Sequence, residues 1–80
     1  MDSKTIEQLI RAGIADVEVK VQSDDNVHFE AVVSSSAFLG KNPLQRHRMV
    51  YATLGDLLGG EIHALSIQAN LPDTPQDNAG

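Results

Sequence analysis

The chain has no cysteine and no tryptophan, and its aromatics are two phenylalanines and one tyrosine in 80 residues. Without thiols it forms no disulfide, no zinc finger, no thiol redox couple and no metal cluster held by its own thiolates, so the fold rests on packing alone. Basic residues are also scarce. Six Lys+Arg against eleven Asp+Glu give a formal charge of -5, which opposes non-specific attraction to nucleic acid or anionic lipid. No apolar run approaches the roughly 18 residues of a membrane span, and Met1-Asp2-Ser3-Lys4 opens neither a signal nor a transit peptide, so a cytoplasmic address is expected. What remains is a chain that is 41% hydrophobic, enough for one core. A domain of this size buries only about 60% of the surface its unfolded chain exposes, which excludes a second lobe and any large multi-domain enzyme.

Ile6, Leu9 and Ile10 follow helical spacing after Ser3, a plausible N-cap, and Gly13 offers a stop. Val17, Val19 and Val21 then alternate with Glu18, Lys20 and Gln22, as in a half-buried strand. Ser23-Asp24-Asp25-Asn26 is turn chemistry, and Phe29, Ala31 and Val33 alternate with His28, Glu30 and Val32, so an antiparallel hairpin is expected. The serines 34 to 36 can cap a short helical turn through Ala37-Phe38-Leu39 that Gly40 closes. Asn42-Pro43 begins a longer helix whose stripe runs through Leu44, His47, Val50, Tyr51, Leu54, Leu57 and Leu58 to a stop at Gly59-Gly60. Ile62 to Ala69 reads as a last strand, with His63, Leu65, Ile67 and Ala69 on one side and Ile62, Ala64, Ser66 and Gln68 on the other. A helical crossover between strands predicts that the last strand lies parallel to the second. The expected fold is α+β, with a three-stranded mixed sheet and helices on one face. Residues 1–71 form the domain, and 72–80, rich in proline, acid and amide, are expected to be a disordered tail.

Three histidines, His28, His47 and His63, are the residues able to ligate a metal strongly or to titrate near neutral pH. If the second and last strands are parallel neighbours, His28 and His63 open them at the same end of the sheet, beside Asp24 and Asp25. Two imidazoles are half a metal site. A half-buried histidine bonded to backbone is the plainer reading of His63 on residue type alone. The serine cluster lacks a nucleophile elbow and reads as capping, and Leu58-Gly59-Gly60-Glu61 is no phosphate loop. From Ala31 to Gly55 there is no acid, whereas Lys41, Arg46 and Arg48 fall inside that window, with His47 at the edge of the apolar stripe. Such a cluster is usually a solvated face, and it also suits an acidic partner or a phosphate backbone.

His28-Phe29, Val32-Val33-Ser34, Phe38 with Gly40, the block Leu44-Gln45-Arg46-His47-Arg48-Met49-Val50-Tyr51 with Leu54, and Ile62-His63-Ala64-Leu65 together resemble the BolA family, over Val17 through Ala69. The resemblance implies an α-β-β-α-α-β fold similar to a type II KH domain. It also implies a monothiol glutaredoxin partner, with which a 2Fe-2S cluster is shared: thiolates from the glutaredoxin and a bound glutathione on one side, and ligands of this chain on the other. The family's C-terminal histidine ligand falls on His63. Its second ligand, histidine or cysteine, comes from the loop between the first two strands. Here that loop has no cysteine, and the candidates are His28 and, as harder oxygen donors, Asp24 and Asp25. A cysteine-free chain can serve such a cluster because two histidines replace two cysteines on one iron in Rieske centres. The function expected is a non-enzymatic adaptor in iron–sulfur cluster assembly, trafficking or iron regulation, with no cofactor and a monomeric or weakly dimeric state when alone. The alternative is a DNA-binding regulator that uses Lys41, Arg46, His47 and Arg48.

Overall fold

The computed structural model describes residues 2–60, 62 and 64–72. The elements are α1 (Ser3–Gly13), β1 (Val17–Gln22), β2 (His28–Ser35), a 3-10 turn (Ser36–Phe38), α2 (Pro43–Leu54), a second 3-10 turn (Gly55–Leu57) and β3 (Ala64–Asn70). His63 and residues 73–80, nearly all of the expected tail, lie outside the described residues. The α+β expectation holds, with the first of the two crossover helices reduced to a single 3-10 turn.

The sheet order is β1-β2-β3. β1 and β2 pair antiparallel with Val17 opposite Ser35 and Gln22 opposite Glu30, and β2 and β3 pair parallel with His28 opposite Ala64 and Ser34 opposite Asn70. Alternation decides which face is covered, since a one-residue slip would expose the whole apolar set. Val19, Val21, Phe29, Ala31 and Val33 are buried under the helices, where Leu65, Ile67 and Ala69 join them, while Glu18, Lys20, Gln22, His28, Glu30 and Val32 are on the solvent face. Ile6, Ile10, Ile14, Val50, Leu54 and Phe38 complete one core between that sheet face and the helix layer. No helix among the described residues is long and apolar enough to cross a membrane.

The cap of α1 is Asp2, whose carboxylate accepts the Thr5 N–H at 2.8 Å, one residue before the serine that the sequence suggests. An ionised acceptor at the positive end of the helix gains from both the capping bond and the dipole. Gly13 ends α1 as expected, and it has a second role: a Cβ placed there would lie 2.5 Å from Cγ2 of Thr53 on α2, so it also permits close helix approach. Ser35 is fully buried; its hydroxyl donates to the Ala15 carbonyl at 2.7 Å and accepts from the Ala37 N–H at 3.0 Å, which caps the 3-10 turn as expected.

α2 begins as predicted, with a capping box between Asn42 and Gln45 and Pro43 in its first turn. It ends earlier than predicted, at Gly55 with φ +57, because that left-handed conformation breaks the ladder before Leu57 and Leu58 can join it. Only Val50 and Leu54 of the α2 stripe are fully buried; Leu44 and Tyr51 are exposed. Ile62 also departs from its expected place on the strand side shared with Ala64, Ser66 and Gln68. It precedes β3, its N–H donates to the Leu57 carbonyl and its own carbonyl accepts from Gly59 N–H, both at 2.9 Å, and its side chain is buried. Strand alternation does not reach it, since the continuous ladder starts at Ala64.

Candidate functional site

The β1–β2 connection and the adjoining strand ends enclose a cleft of about 260 Å³ lined by Gln22, Ser23, Asp24, Asp25, Glu30 and Ser66, with His28, Phe29 and Ala64. Gln22, His28, Glu30, Ala64 and Ser66 share the helix-free face because they are register partners across the three strands. His28 opens β2 directly beside Ala64, so the start of β3 is at the histidine's shoulder. The residue preceding Ala64 in the chain is His63, outside the described residues.

The loop is a network built on two short side chains. Asp25 Oδ1 accepts the backbone N–H groups of Val27 and His28, each at 2.9 Å, and Oδ2 lies 2.9 Å from His28 Nδ1. Ser23 Oγ donates to the His28 carbonyl at 2.6 Å and accepts from the Asn26 N–H at 2.9 Å, and Asn26 takes φ +58, a conformation its short amide side chain tolerates. The hydrogen bond from the His28 ring, followed by those from the His28 and Val27 amides, holds the Asp25 carboxyl well below its ordinary value of 3.8. The carboxylate is therefore ionised throughout the physiological range. The His28 side chain remains 74% exposed.

The candidate ligands are thus brought together only in part. His28 and Asp25 touch, but both Asp25 oxygens are engaged within the loop, which argues against Asp25 as a ligand. Asp24 lines the cleft without a side-chain hydrogen bond to another described residue. No cluster of three or more His, Asp or Glu side chains able to hold a metal exists among the described residues. The donor chemistry nevertheless fits one position on an iron: a borderline imidazole nitrogen, exposed, with its other nitrogen held by a carboxylate, is how ligating histidines are usually arranged.

The basic segment sits elsewhere. Arg46 does not point to water as its sequence context suggests: its Nε donates to the Lys41 carbonyl at 2.9 Å and its guanidinium reaches the Ala69 carbonyl at 3.4 Å. That contact is five residues along β3 from Ala64, or about 16 Å at the rise of a strand. The metal candidates and the basic helix therefore occupy opposite ends of the sheet. Lys41 and Arg48 are exposed, while the half-buried His47 packs edge-to-face on Tyr51 with ring centroids 6.5 Å apart. Tyr51 of α2 lines a second, open groove together with Leu58, Gly59, Ile62 and Leu65, at the edge of the core. The sequence signal for it was the stripe's excess width, which exceeds what one helix face can bury.

Fold and rim together define a class of protein: a single small α+β domain that offers an oriented imidazole at one end of a mixed sheet and a basic helix at the other. The chain belongs to the BolA-like family, whose model matches residues 11–74. It is 48% identical over 59 residues to BolA-like protein 1 of Homo sapiens, a match covering 74% of this chain and 43% of that protein, so the chain spans less than half of that relative's length. It is 36% identical over 76 residues to the DNA-binding transcriptional regulator BolA of Escherichia coli (strain K12), covering 84% of this chain and 72% of that protein. The solved structure of a bolA protein homologue from Coxiella burnetii superposes with a TM-score of 0.79 at 36% identity, covering 100% of this chain and 99% of that one.

Proposed function

We propose that the chain is a non-enzymatic, cytoplasmic adaptor in iron–sulfur cluster assembly, trafficking or iron regulation, acting in an apo or 2Fe-2S-bridged complex with a monothiol glutaredoxin. The observation that carries this reading is the exposed His28 imidazole, anchored by Asp25 beside the start of β3, in a chain of the BolA-like family that has no thiolate of its own. His28 and His63 are the proposed ligands to one iron, and the glutaredoxin and glutathione supply the two thiolates. Histidine ligation there would raise the potential of a bound cluster above that of an all-thiolate one. The chain's own work is to present nitrogen at a fixed rim and to bind the partner. Mixing the protein with cluster-loaded monothiol glutaredoxin is expected to change the visible absorption and circular dichroism, and His63→Ala and His28→Ala are each expected to abolish most of that change. An unchanged spectrum with the wild-type chain overturns the cluster role.

A second reading, a DNA-binding regulator, is supported by the likeness to the Escherichia coli DNA-binding transcriptional regulator BolA. Lys41 and Arg48 are the exposed cations of this segment, and Arg46 adds its charge beside them while two of its donors meet backbone carbonyls. On this reading Lys41→Glu with Arg48→Glu weakens duplex binding at least tenfold, and affinity falls steeply between about 50 and 200 mM salt. A titration that detects no binding near physiological salt removes it.

A further inference from the structure

His28 has two ring nitrogens, and the loop treats them differently. Asp25 Oδ1 is committed to the Val27 and His28 amides, which fixes the plane of the carboxylate, and that plane delivers Oδ2 to Nδ1 at 2.9 Å. Ser23 Oγ holds the His28 carbonyl at 2.6 Å, so the backbone that carries the imidazole is clamped from the other side. An ionised carboxylate can only accept, so the ring nitrogen facing it must carry a hydrogen. In the neutral ring the lone pair is then at Nε2, on a side chain that is largely exposed to the cleft.

We propose that Asp25 is a positioning residue that holds His28 in the Nδ1–H tautomer and leaves Nε2 as the one nitrogen able to ligate iron or another borderline metal. This rests on the reading of His28 as a cluster ligand, and it gives Asp25 a role different from that of an oxygen ligand. Because the amide bonds pre-orient the carboxylate, little side-chain freedom is lost in holding the ring, which keeps the contact effective despite its exposure.

The discriminating variant is Asp25→Asn. Its Oδ1 must still face the two backbone amides, so the new NH2 occupies the place of Oδ2 and donates to Nδ1, driving the ring hydrogen to Nε2. Long-range proton–nitrogen NMR of the full chain, recorded on the neutral ring in a series of spectra from neutral to alkaline pH, reads the tautomer directly. The expected result is Nδ1–H in the wild type, Nε2–H in Asp25→Asn, and no change in Asp24→Asn. A wild-type ring protonated at Nε2, or an equal response to Asp24→Asn, overturns the proposal; should Asp25→Asn disturb the loop amides, the wild-type tautomer decides alone. Titration with Zn²⁺ as the probe, followed at the His28 nitrogens, is expected to show a shift at Nε2 and at least a tenfold weaker affinity in Asp25→Asn. Equal Zn²⁺ affinity in the two proteins also overturns it. If the tautomer is as stated while His28→Ala leaves the glutaredoxin complex spectrum unaltered, it is the cluster-ligand reading of His28 that fails.

Discussion

Phe38→Ala is expected to lower the melting temperature by about 15–30 °C, which leaves the chain largely unfolded at 37 °C. Phe38 is fully buried, yet it sits in a 3-10 turn of three residues whose closing backbone bond is Leu39 N–H to the Ser36 carbonyl at 3.1 Å. So short a turn cannot hold itself, and the phenyl ring anchors the start of the crossover that returns the chain for β3. Truncating a buried Phe to Ala costs about 3–5 kcal/mol, comparable with the whole stability of a domain this small. A thermal melt followed by circular dichroism measures it. A fall of less than roughly 5 °C would mean that the turn is not held by the core. The consequence for function is direct, because the crossover sets the parallel register that puts Ala64 beside His28.

Gly13→Ala is expected to destabilise the domain by about 1–3 kcal/mol, although alanine is the better helix former. The added methyl would meet Thr53 Cγ2 at 2.5 Å and Thr53 Cβ at 3.0 Å. Thr53 cannot swing aside freely, since its hydroxyl donates to the Val50 carbonyl at 2.6 Å. Relief must come from separating α1 and α2, which opens the core at Ile10 and Leu54. Thr53→Ala removes the nearer atom, so the double variant should recover part of the loss, with a coupling energy of about 0.5–3 kcal/mol in a denaturant-unfolding cycle. Strict additivity of the two substitutions would contradict the steric account.

Several features were readable in advance because they repeat with a local period. Val17 to Val21 and His28 to Val33 alternate with period two, so both strands, the hairpin between them and their buried faces followed from the sequence. The crossover after β2 predicted the parallel pairing of β3, and Asn42-Pro43 marked the start of α2. Where the reading missed, the deciding neighbour was distant along the chain. Gly13 reads as a helix stop, which it is, but only Thr53 placed against it shows that it also sets the approach of α1 and α2, and Arg46 looks solvated until the end of β3 arrives beside it. The stripe on α2 was longer and broader than one helix can bury, and nothing local said that Gly55 would cut it.

The sequence by itself determined that this is an α+β fold without thiolates, with its acids outside a basic segment and with a histidine, His28, at the opening of β2. Those conclusions rest on composition and on periods of 2.0 and 3.6, which a linear chain displays. Only the tertiary structure decided that Asp25 spends both oxygens on the loop and its histidine, that Arg46 is taken up by backbone carbonyls, and that the imidazole rim and the basic helix lie at opposite ends of the sheet. The physical reason is that hydrogen-bond capacity is allotted by geometry: a carboxylate or guanidinium has the same composition whether free or satisfied, and its partners are named only when the chain has folded around it.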